Sequence, residues 1–346
     1  MTARVGVAVI GAGAWGANHV RVIATTPGSQ LRVVADRDPS VAERVKKLAP
    51  DARFVGDADQ VLADPQIDAV VLATPAPTHA ALAIAALEAG KHVLVEKPLA
   101  MSLRDACAVA EAAVASRRSA MVGHLMVHHP AVARLREMLR SGALGRLHYL
   151  HSTRVNLGRI RRDENALWSF GPHDLSMIDF LLDRVPETVA ARGQSVLHPG
   201  VEDVVFLSLR YASGEMAHVH LSWLNPRKER RLTLVCSQKM AEFDDVATDK
   251  LRIYDKGYDR PPEFTEYAEY LTLRDGDVFI PQLPMQEPLR LQWQAFLSSI
   301  SQPGLADLAR AVRVTAVLDA AQRSLASDGV PFPVEQLPEF ARLPGA

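Results

Sequence analysis

The sequence has little cysteine, no excess of either charge and no long apolar run, and each absence excludes a class of protein. Two cysteines in 346 residues cannot build a disulfide framework, which favours a reducing compartment. Lysine and arginine number 39 against 40 aspartates and glutamates, so no net charge attracts nucleic acid or an anionic membrane. No apolar run approaches the roughly 20 residues that cross a bilayer. We therefore expect a cytoplasmic protein with neither nucleic acid nor membrane as partner.

The first 122 residues alternate short apolar strands with helices. The predicted strands are 5–10, 31–35, 69–72, 93–95 and 120–122. The predicted helices are 15–24, 41–48, 79–89 and 103–116. Short, fully apolar strands separated by helices are typical of βαβ units and a parallel sheet. Because helices must then cover both faces of the sheet, this part of the chain is predicted to form a doubly wound α/β domain.

From residue 123 onwards the pattern changes to consecutive strands with few helices. The predicted strands are 147–156, 204–211, 215–223, 231–236, 241–243 and 251–254. The predicted helices are 130–139, 288–300 and 305–327. Successive strands favour an α+β domain with one large open, mostly antiparallel sheet. We predict two domains, residues 1–122 and 123–346, and the last helix could pack back on the first domain.

A glycine-rich loop follows the first predicted strand and opens the first predicted helix. Gly11, Gly13 and Gly16 occupy the three glycine positions of G-x-G-x-x-G. In this context the first glycine permits a tight turn, the second lets the backbone approach a pyrophosphate, and the third allows close packing of the helix. The pyrophosphate then meets free N–H groups at the helix start. The loop residues predicted to bind a dinucleotide are Gly11, Gly13, Ala14, Trp15 and Gly16.

Asp36 ends the second predicted strand, 20 residues beyond Gly16. A carboxylate at this position accepts hydrogen bonds from ribose hydroxyls and repels the 2′-phosphate of NADP. The adjacent Arg37 could accommodate that phosphate instead. We predict that NAD is the cofactor and that NADP is disfavoured.

Polar residues follow the third and fourth predicted strands. The residues concerned are Thr74, Pro75, His79, Glu96 and Lys97. Ligands bind at the carboxyl ends of the strands in a doubly wound sheet, so we expect these residues to face the cofactor. A lysine held there could polarise a hydroxyl or donate a proton.

These segments together resemble the Gfo/Idh/MocA family of sugar oxidoreductases. The resemblance is carried by the loop at 11–16, Asp36, Thr74-Pro75, Glu96-Lys97-Pro98 and the later strand-rich region. It implies a Rossmann domain, a second α/β domain with an open sheet, bound NAD or NADP and no metal. It implies an NAD(P)-dependent oxidoreductase acting on CH–OH groups, with Lys97 as catalytic lysine and a cis Lys97–Pro98 bond. Paired open sheets would give a homodimer or homotetramer.

The resemblance also implies a catalytic histidine at the start of a helix in the second domain, with an aspartate four residues before it. His173 fits the histidine position, whereas Ser169 stands where the aspartate would be. His124, which follows the strand predicted at 120–122, lies where the family often carries an aromatic residue at the crevice.

Residues 154–174 are more similar to nucleotide-sugar dehydrogenases, above all UDP-N-acetylglucosamine 3-dehydrogenases, which prepare a 3-keto sugar for a PLP aminotransferase. Four arginines within nine positions could grip a diphosphate, although a solvated loop or a subunit interface explains them as well. Asparagine side chains could bind sugar hydroxyls, and a tryptophan could pack on a sugar ring. The predicted substrate contacts are His124, Arg154, Asn156, Arg159, Arg161, Asn165, Trp168 and His173, with Arg162 as the fourth arginine.

The predicted reaction is the NAD-dependent oxidation of a secondary hydroxyl, C3 of the GlcNAc ring in UDP-GlcNAc. Lys97 and His173 are the candidates for the base, and the other would stabilise the developing alkoxide. Three alternatives stay open: a dehydrogenase of a free sugar or inositol, a reductase of a dTDP-ketosugar, and a non-catalytic NAD-binding sensor.

Overall fold

The structure is a computed structural model that describes residues 4–158, 160–162, 164–259, 272–302, 304–335 and 337–342. The chain divides into two compact units. The first unit comprises Met1–His128, Gln286–Ala316 and Gln336–Ala346, and the second comprises His129–Met285 and Val317–Glu335. Neither unit is continuous in sequence, in contrast to the two consecutive domains that the sequence pattern predicts.

Within the described part of the first unit, six strands form one parallel sheet. They are β1 (Val5–Ile10), β2 (Ser29–Ala35), β3 (Arg53–Val55), β4 (Ala69–Leu72), β5 (His92–Val95) and β6 (Ala120–Val122). Their order is β3-β2-β1-β4-β5-β6, and every pair is parallel. Strands β1 to β3 are added towards one side of the sheet and β4 to β6 towards the other, so the strand order switches between β1 and β4. Such a switch point creates a crevice at the carboxyl ends of these two strands. The predicted doubly wound parallel sheet is confirmed.

The helices that connect these strands begin and end close to the predicted positions, except for a four-residue helix at Asp59–Leu62 that the sequence pattern did not predict. They are α1 (Gly16–Thr25), α2 (Ala42–Leu48), α3 (Asp59–Leu62), α4 (His79–Glu88) and α5 (Leu103–Ser116), with 3-10 turns at Pro39–Val41, Ala76–Thr78 and Leu125–His128. Ser102 caps α5 by accepting the N–H of Asp105, and Arg117 ends the helix in a left-handed conformation. Every residue of β4 and β5 is buried, as expected for strands with helices on both faces.

The second unit contains a mixed sheet, to which the described residues contribute nine strands. They are β7 (Leu147–Leu157), β8 (Thr188–Gln194), β9 (Val204–Arg210), β10 (Met216–Ser222), β11 (Leu224–Cys236), β12 (Met240–Asp244), β13 (Leu251–Asp259), β14 (Thr272–Phe279) and β15 (Phe332–Pro333). Their order is β14-β13-β12-β11-β7-β10-β9-β8-β15. The predicted mostly antiparallel sheet is confirmed, with the one exception that β7 pairs with β10 in parallel. Two parallel neighbours need a long connection, which here includes a helix and two strands.

Two helices accompany this sheet, α6 (Pro130–Arg140) and α7 (Ala166–Leu182). The inward face of β10 consists of Ala217, Val219 and Leu221, which are at most 1% exposed. A Cβ on Gly171 of α7 would lie 3.5 Å from the Leu221 side chain, so α7 packs closely on this face. The alternating residues of β10 point to the opposite face, as strand geometry requires.

The C-terminal part of the chain adds α8 (Pro288–Ser301), α9 (Ala306–Ala326) and α10 (Glu339–Arg342). Leu289, Trp293 and Phe296 of α8 belong to the same buried cluster as apolar residues of β1, β2 and α1. This burial explains why a late helix belongs to the first unit. Residues 306–316 of α9 fall in the first unit and the rest of this helix in the second. None of the described helices has both the length and the apolar character to cross a bilayer.

Candidate active site

The loop at residues 11–16 joins β1 to α1 and has no room for side chains at two of its glycines. Gly11 has φ +91°, and a Cβ there would lie 2.6 Å from the carbonyl oxygen of Ala73. A Cβ on Gly16 would lie 2.0 Å from the carbonyl oxygen of Gly11. Both glycines are therefore required by the close contact between α1, β1 and the end of β4.

Gly13 differs, because a Cβ there would meet no atom within 4 Å. It lies just before α1, where the first N–H groups of a helix have no partner in the helix itself and the helix dipole favours an anion. The open side of Gly13 thus leaves the backbone accessible at the helix start. This arrangement fits the pyrophosphate of a dinucleotide.

Asp36 lies directly after β2, and its carboxylate is hydrogen-bonded to the loop at 11–16. Its Oδ2 accepts the N–H of Ala12 at 2.6 Å, and its Oδ1 accepts the N–H of Asp38 at 2.9 Å. Arg44 donates to the carbonyl oxygen of Ala12. Asp36 is half-buried, whereas Arg37 is exposed. A carboxylate held in this position can accept hydrogen bonds from ribose hydroxyls, so the residues present fit NAD.

His79 is buried and connects two segments that follow neighbouring strands. Its Nδ1 lies 2.7 Å from the carbonyl oxygen of Pro98, and its Nε2 lies 2.9 Å from that of Thr74. Whichever ring nitrogen carries the proton can donate to one of these carbonyl oxygens, so His79 lies between the segment after β4 and the segment after β5. Thr74 is half-buried and Pro75 exposed in the first of these segments.

Lys97 follows β5 and is half-buried, and the Lys97–Pro98 peptide bond is cis, as the family resemblance implies. Lys97 donates its backbone N–H to Oε2 of Glu96 at 3.2 Å. Burial alone would raise the pKa of the Glu96 carboxyl. Hydrogen bonds from His19 and Trp15 and the charge of Lys97 outweigh that effect and hold this pKa below its usual value.

His124 lies just after β6 and is 3% exposed. Burial, reinforced by the charge of Arg310, lowers the pKa of His124 to about 3. Arg310 is itself buried and pairs with Asp307 on the same helix, α9, with Nη1 2.5 Å from Oδ1. His124 is therefore neutral near pH 7, where it can form hydrogen bonds but carries no charge.

His173 lies in the second unit, in the interior of α7 rather than at its start. The helix begins at Ala166 because the side chain of Asn165 accepts the N–H of Trp168 at 3.1 Å and caps it. The expectation that His173 lies at a helix start was wrong, because the cap at Asn165 makes the helix begin seven residues earlier. His173 is half-buried, and Ser169, which replaces the family's aspartate, is buried one turn earlier.

Two predicted sugar contacts are engaged within the second unit. Nδ2 of Asn165 donates to Glu202 at 2.6 Å and to Gln322 at 3.0 Å. The indole N–H of Trp168 donates to the same Gln322 oxygen at 3.1 Å, and the side chain is 6% exposed. The structure therefore uses both side chains to secure α7, and their contact with substrate stays a prediction.

The predicted basic cluster does not form one set of exposed cations. Arg154 is buried on β7 and pairs with Asp174. Arg161 is exposed and pairs with Glu164 at 2.8 Å, and Arg162 is also exposed. Asn156 is half-buried near the end of β7, and Arg159 lies outside the described residues.

Sequence reasoning missed His19 on α1, which is 1% exposed and lies 2.7 Å from Oε1 of Glu96. It follows Trp15 by four residues, and residues four apart share one face of a helix. This spacing was the signal that could have identified it. In the part of the chain that is described, no three His, Cys, Asp or Glu side chains group together in a way that could hold a metal.

The parallel sheet, its glycine loop and the carboxylate after β2 define a dinucleotide-binding α/β protein. Two family profiles match the chain: "Oxidoreductase family, NAD-binding Rossmann fold" over residues 5–124 and "GFO/IDH/MocA C-terminal domain" over residues 132–242. Together they cover more than half of the sequence. The chain belongs to the Gfo/Idh/MocA oxidoreductase family, and its NAD-binding domain has the Rossmann fold.

Known proteins of this family differ in substrate. An inositol 2-dehydrogenase from Acidothermus cellulolyticus is 35% identical over 223 residues, which are 62% of this chain and 65%, less than two thirds, of that relative. GenD2 from gentamicin A biosynthesis, crystallised with NAD, is 26% identical with TM-score 0.81, over 97% of this chain and 98% of GenD2. The UDP-N-acetylglucosamine 3-dehydrogenase GnnA from Acidithiobacillus ferrooxidans is 25% identical with TM-score 0.78, over 94% and 99% of the two chains.

Proposed function

We propose that this protein is an NAD-dependent dehydrogenase that oxidises a secondary hydroxyl on the ring of a sugar or inositol. The observation that carries the proposal is the position of Lys97 directly after β5. It lies at the carboxyl ends of the parallel strands, where the loop at 11–16 also follows β1. In an open α/β sheet this edge is where ligands bind. The inositol 2-dehydrogenase relative supports the reaction class, and GenD2, crystallised with NAD, supports the cofactor.

The proposed chemistry assigns proton handling to the protein. NAD, when bound, supplies the acceptor for the hydride that leaves carbon. Lys97 Nζ and His173 are the two groups that could take up the hydroxyl proton, and the one that does not would stabilise the developing negative charge on oxygen. Ser169, four residues before His173, has no carboxylate and therefore cannot supply the acidic group that the family places there.

A free ring polyol is the first substrate candidate. Two of the four arginines that would grip a diphosphate are engaged elsewhere, Arg154 with Asp174 and Arg161 with Glu164. The similarity to inositol 2-dehydrogenase favours the same class.

Oxidation of UDP-GlcNAc at C3 is the second candidate. The similarity to GnnA favours it, as do the exposed positions of Arg161 and Arg162, where guanidinium groups could reach a diphosphate. In that case the product would be a 3-keto sugar, which a PLP aminotransferase could use.

We also propose that the protein is a homodimer or homotetramer paired through the second unit's sheet. Tyr149, Phe206 and Met216 lie on the sheet face opposite α7 and are 48%, 44% and 51% exposed. Large apolar side chains grouped on one face favour a partner surface. Light scattering of the purified protein tests this, and a monomer at working concentration would contradict it.

Turnover of NAD with a panel of substrates tests the proposed function. NADH formation is measured with NAD and myo-inositol, free sugars or UDP-GlcNAc. NADH consumption is measured in the reverse direction with NADH and dTDP-ketosugars. Lys97→Met should lower kcat by about 10²-fold or more with little change in the Kd of NAD. Lys46→Met, an exposed lysine on α2, is the matched control and should leave kcat unchanged. Binding of NAD without turnover of any substrate would instead favour a sensor.

A further inference from the structure

One carboxylate in the first unit receives hydrogen bonds from three directions. Oε1 of Glu96 accepts the indole N–H of Trp15 at 2.6 Å and lies 2.7 Å from Nε2 of His19. Its Oε2 accepts the backbone N–H of Lys97 at 3.2 Å. Because an ionised carboxylate can only accept, His19 carries its proton on Nε2. Glu96 thus joins Trp15, which directly precedes α1, and His19 of α1 to the lysine after β5.

The carboxylate is confined as well as bonded. The side chain of Glu96 is 10% exposed and that of His19 is 2% exposed. A Cβ on Gly123, at the end of β6, would lie 2.9 Å from the carboxylate carbon and from both of its oxygens. The backbone of Gly123 therefore closes over the group on the side of the neighbouring strand. A buried carboxylate held on several sides has little freedom to move independently of its partners.

The two side-chain donors to Glu96, Trp15 just before α1 and His19 within it, differ in their exposure to solvent. Trp15 is 43% exposed and belongs to the loop at 11–16, which would hold the pyrophosphate. His19 is buried one turn further along. A ligand on the loop would therefore contact the exposed Trp15, which is connected through Glu96 to the backbone of Lys97.

We propose that Glu96, held by Trp15 and His19, is a positioning residue that transmits occupation of the loop at 11–16 to Lys97. The inference rests on the proposed function, in which Lys97 handles the hydroxyl proton. With the dinucleotide seated, the loop and α1 hold Glu96 in one position, and Glu96 holds the backbone of Lys97. The lysine then takes up its working orientation with the cofactor in place.

The test reads Lys97 directly and does not depend on turnover. ADP-ribose is NAD without its nicotinamide ring and keeps the pyrophosphate and both riboses. No nicotinamide ring can therefore shield the lysine. Acetic anhydride labels Lys97 with and without saturating ADP-ribose, and mass spectrometry follows the Lys97 peptide. We expect ADP-ribose to change the labelling rate of the wild-type protein about fivefold or more, a typical size for coupling between two sites.

Three variants remove the link. Trp15→Phe keeps an aromatic ring and removes the indole N–H, Glu96→Gln removes the charge, and His19→Leu removes the second donor. In each of them the labelling rate of Lys97 should no longer respond to ADP-ribose, although ADP-ribose binds. His19→Gln, whose amide can donate to Glu96, should restore the response. In turnover, kcat of Trp15→Phe should fall about tenfold with the KM of the substrate unchanged, as expected for a misplaced catalytic group.

Trp293→Phe is the matched control. It removes an indole N–H from the same unit, where Trp293 donates to Ser29 Oγ at 3.2 Å, and it should keep the full response. A wild-type Lys97 that does not respond to ADP-ribose, or a response that survives in Trp15→Phe and Glu96→Gln, would overturn the inference and leave the proposed dehydrogenase untouched. If the labelling rate of Lys97 responds to ADP-ribose in the wild type but not in these variants, and no substrate is turned over, the link is supported and the proposed function is contradicted.

Discussion

Arg154 Nε lies 2.5 Å from Asp174 Oδ2 in the interior of the second unit, where the two side chains are 7% and 1% exposed. The pair joins β7 to α7, the helix that carries His173. Ser152 Oγ donates to the other carboxylate oxygen at 2.6 Å, so both oxygens of Asp174 are satisfied. The guanidinium that the sequence suggests for a diphosphate thus holds a helix against the sheet.

Removal of one member of this pair should destabilise the protein. Arg154→Met leaves the Asp174 carboxylate buried without its cation, so we expect the free energy of unfolding to fall by about 3–5 kcal/mol. The double variant Arg154→Met with Asp174→Leu should recover much of this loss. Urea unfolding measures the free energy of unfolding of the wild type, the single variant and the double variant. Arg134→Met, which breaks the exposed pair with Glu137 on α6, is the control, with a change of about 1 kcal/mol or less.

If Arg154→Met were as stable as the wild type and raised the KM of a nucleotide sugar, Arg154 would be a substrate ligand after all. The structural assignment of the pair would then be wrong.

Gly13→Ala and Gly16→Ala form a matched pair of substitutions in one loop. A Cβ at Gly16 would overlap the carbonyl oxygen of Gly11, so this variant should lose stability. A Cβ at Gly13 meets nothing within 4 Å, so the variant should fold normally and bind NAD about tenfold or more weakly, because the methyl group blocks the approach of the pyrophosphate to the backbone. Thermal unfolding and calorimetric titration with NAD measure the two effects. Unchanged NAD affinity in Gly13→Ala would show that the pyrophosphate lies elsewhere.

Asp36→Asn should change the choice between NAD and NADP. The amide keeps an oxygen for the N–H of Ala12 but removes the charge that repels a 2′-phosphate. We expect the ratio of the two Kd values to shift towards NADP by about tenfold, which corresponds to about 1.4 kcal/mol. Asp38→Asn, exposed two residues later, is the control. A ratio that moves equally in both variants would mean that Asp36 does not select the cofactor.

The buried His124 should make folding stability depend on pH. Its pKa is about 3 in the folded protein, and the ordinary value is 6.5, so between these values the unfolded chain binds more protons. Stability should therefore fall as the pH drops from 6.5 towards 3, by up to about 1.4 kcal/mol per pH unit for this group.

His124→Gln should flatten this dependence, as measured by urea unfolding at about pH 7 and about pH 5. Part of the slope should persist, because burial also lowers the pKa of His128. An identical slope in wild type and His124→Gln would contradict the neutral, buried state of this histidine.

The elements of the first unit were largely predictable because their signals are local. β1, β4 and β6 span the residues predicted from apolar runs, and α5 begins directly after its capping residue Ser102 and ends as predicted. β3 escaped prediction because three residues with an exposed arginine carry no pattern.

The second unit was less predictable because its elements depend on packing. The sequence of α7 contains Gly171 and Pro172, which weaken a helix pattern, and only the resemblance indicated a helix there. The helix forms nonetheless, since most of its side chains are buried. β11 begins seven residues before the predicted strand, because its first half is polar and shows no alternation of apolar residues.

The amino-acid sequence by itself determined the parallel sheet, the glycine loop and the carboxylate after β2, because spacing along the chain sets turns, helix starts and strand ends. Tertiary structure alone decided that Glu96 would bind Trp15 and His19, some 80 residues away, and that Arg154 would pair with Asp174. Such partners meet only when distant segments pack. Burial then makes each charge dependent on the partner that packing provides, which no local pattern encodes.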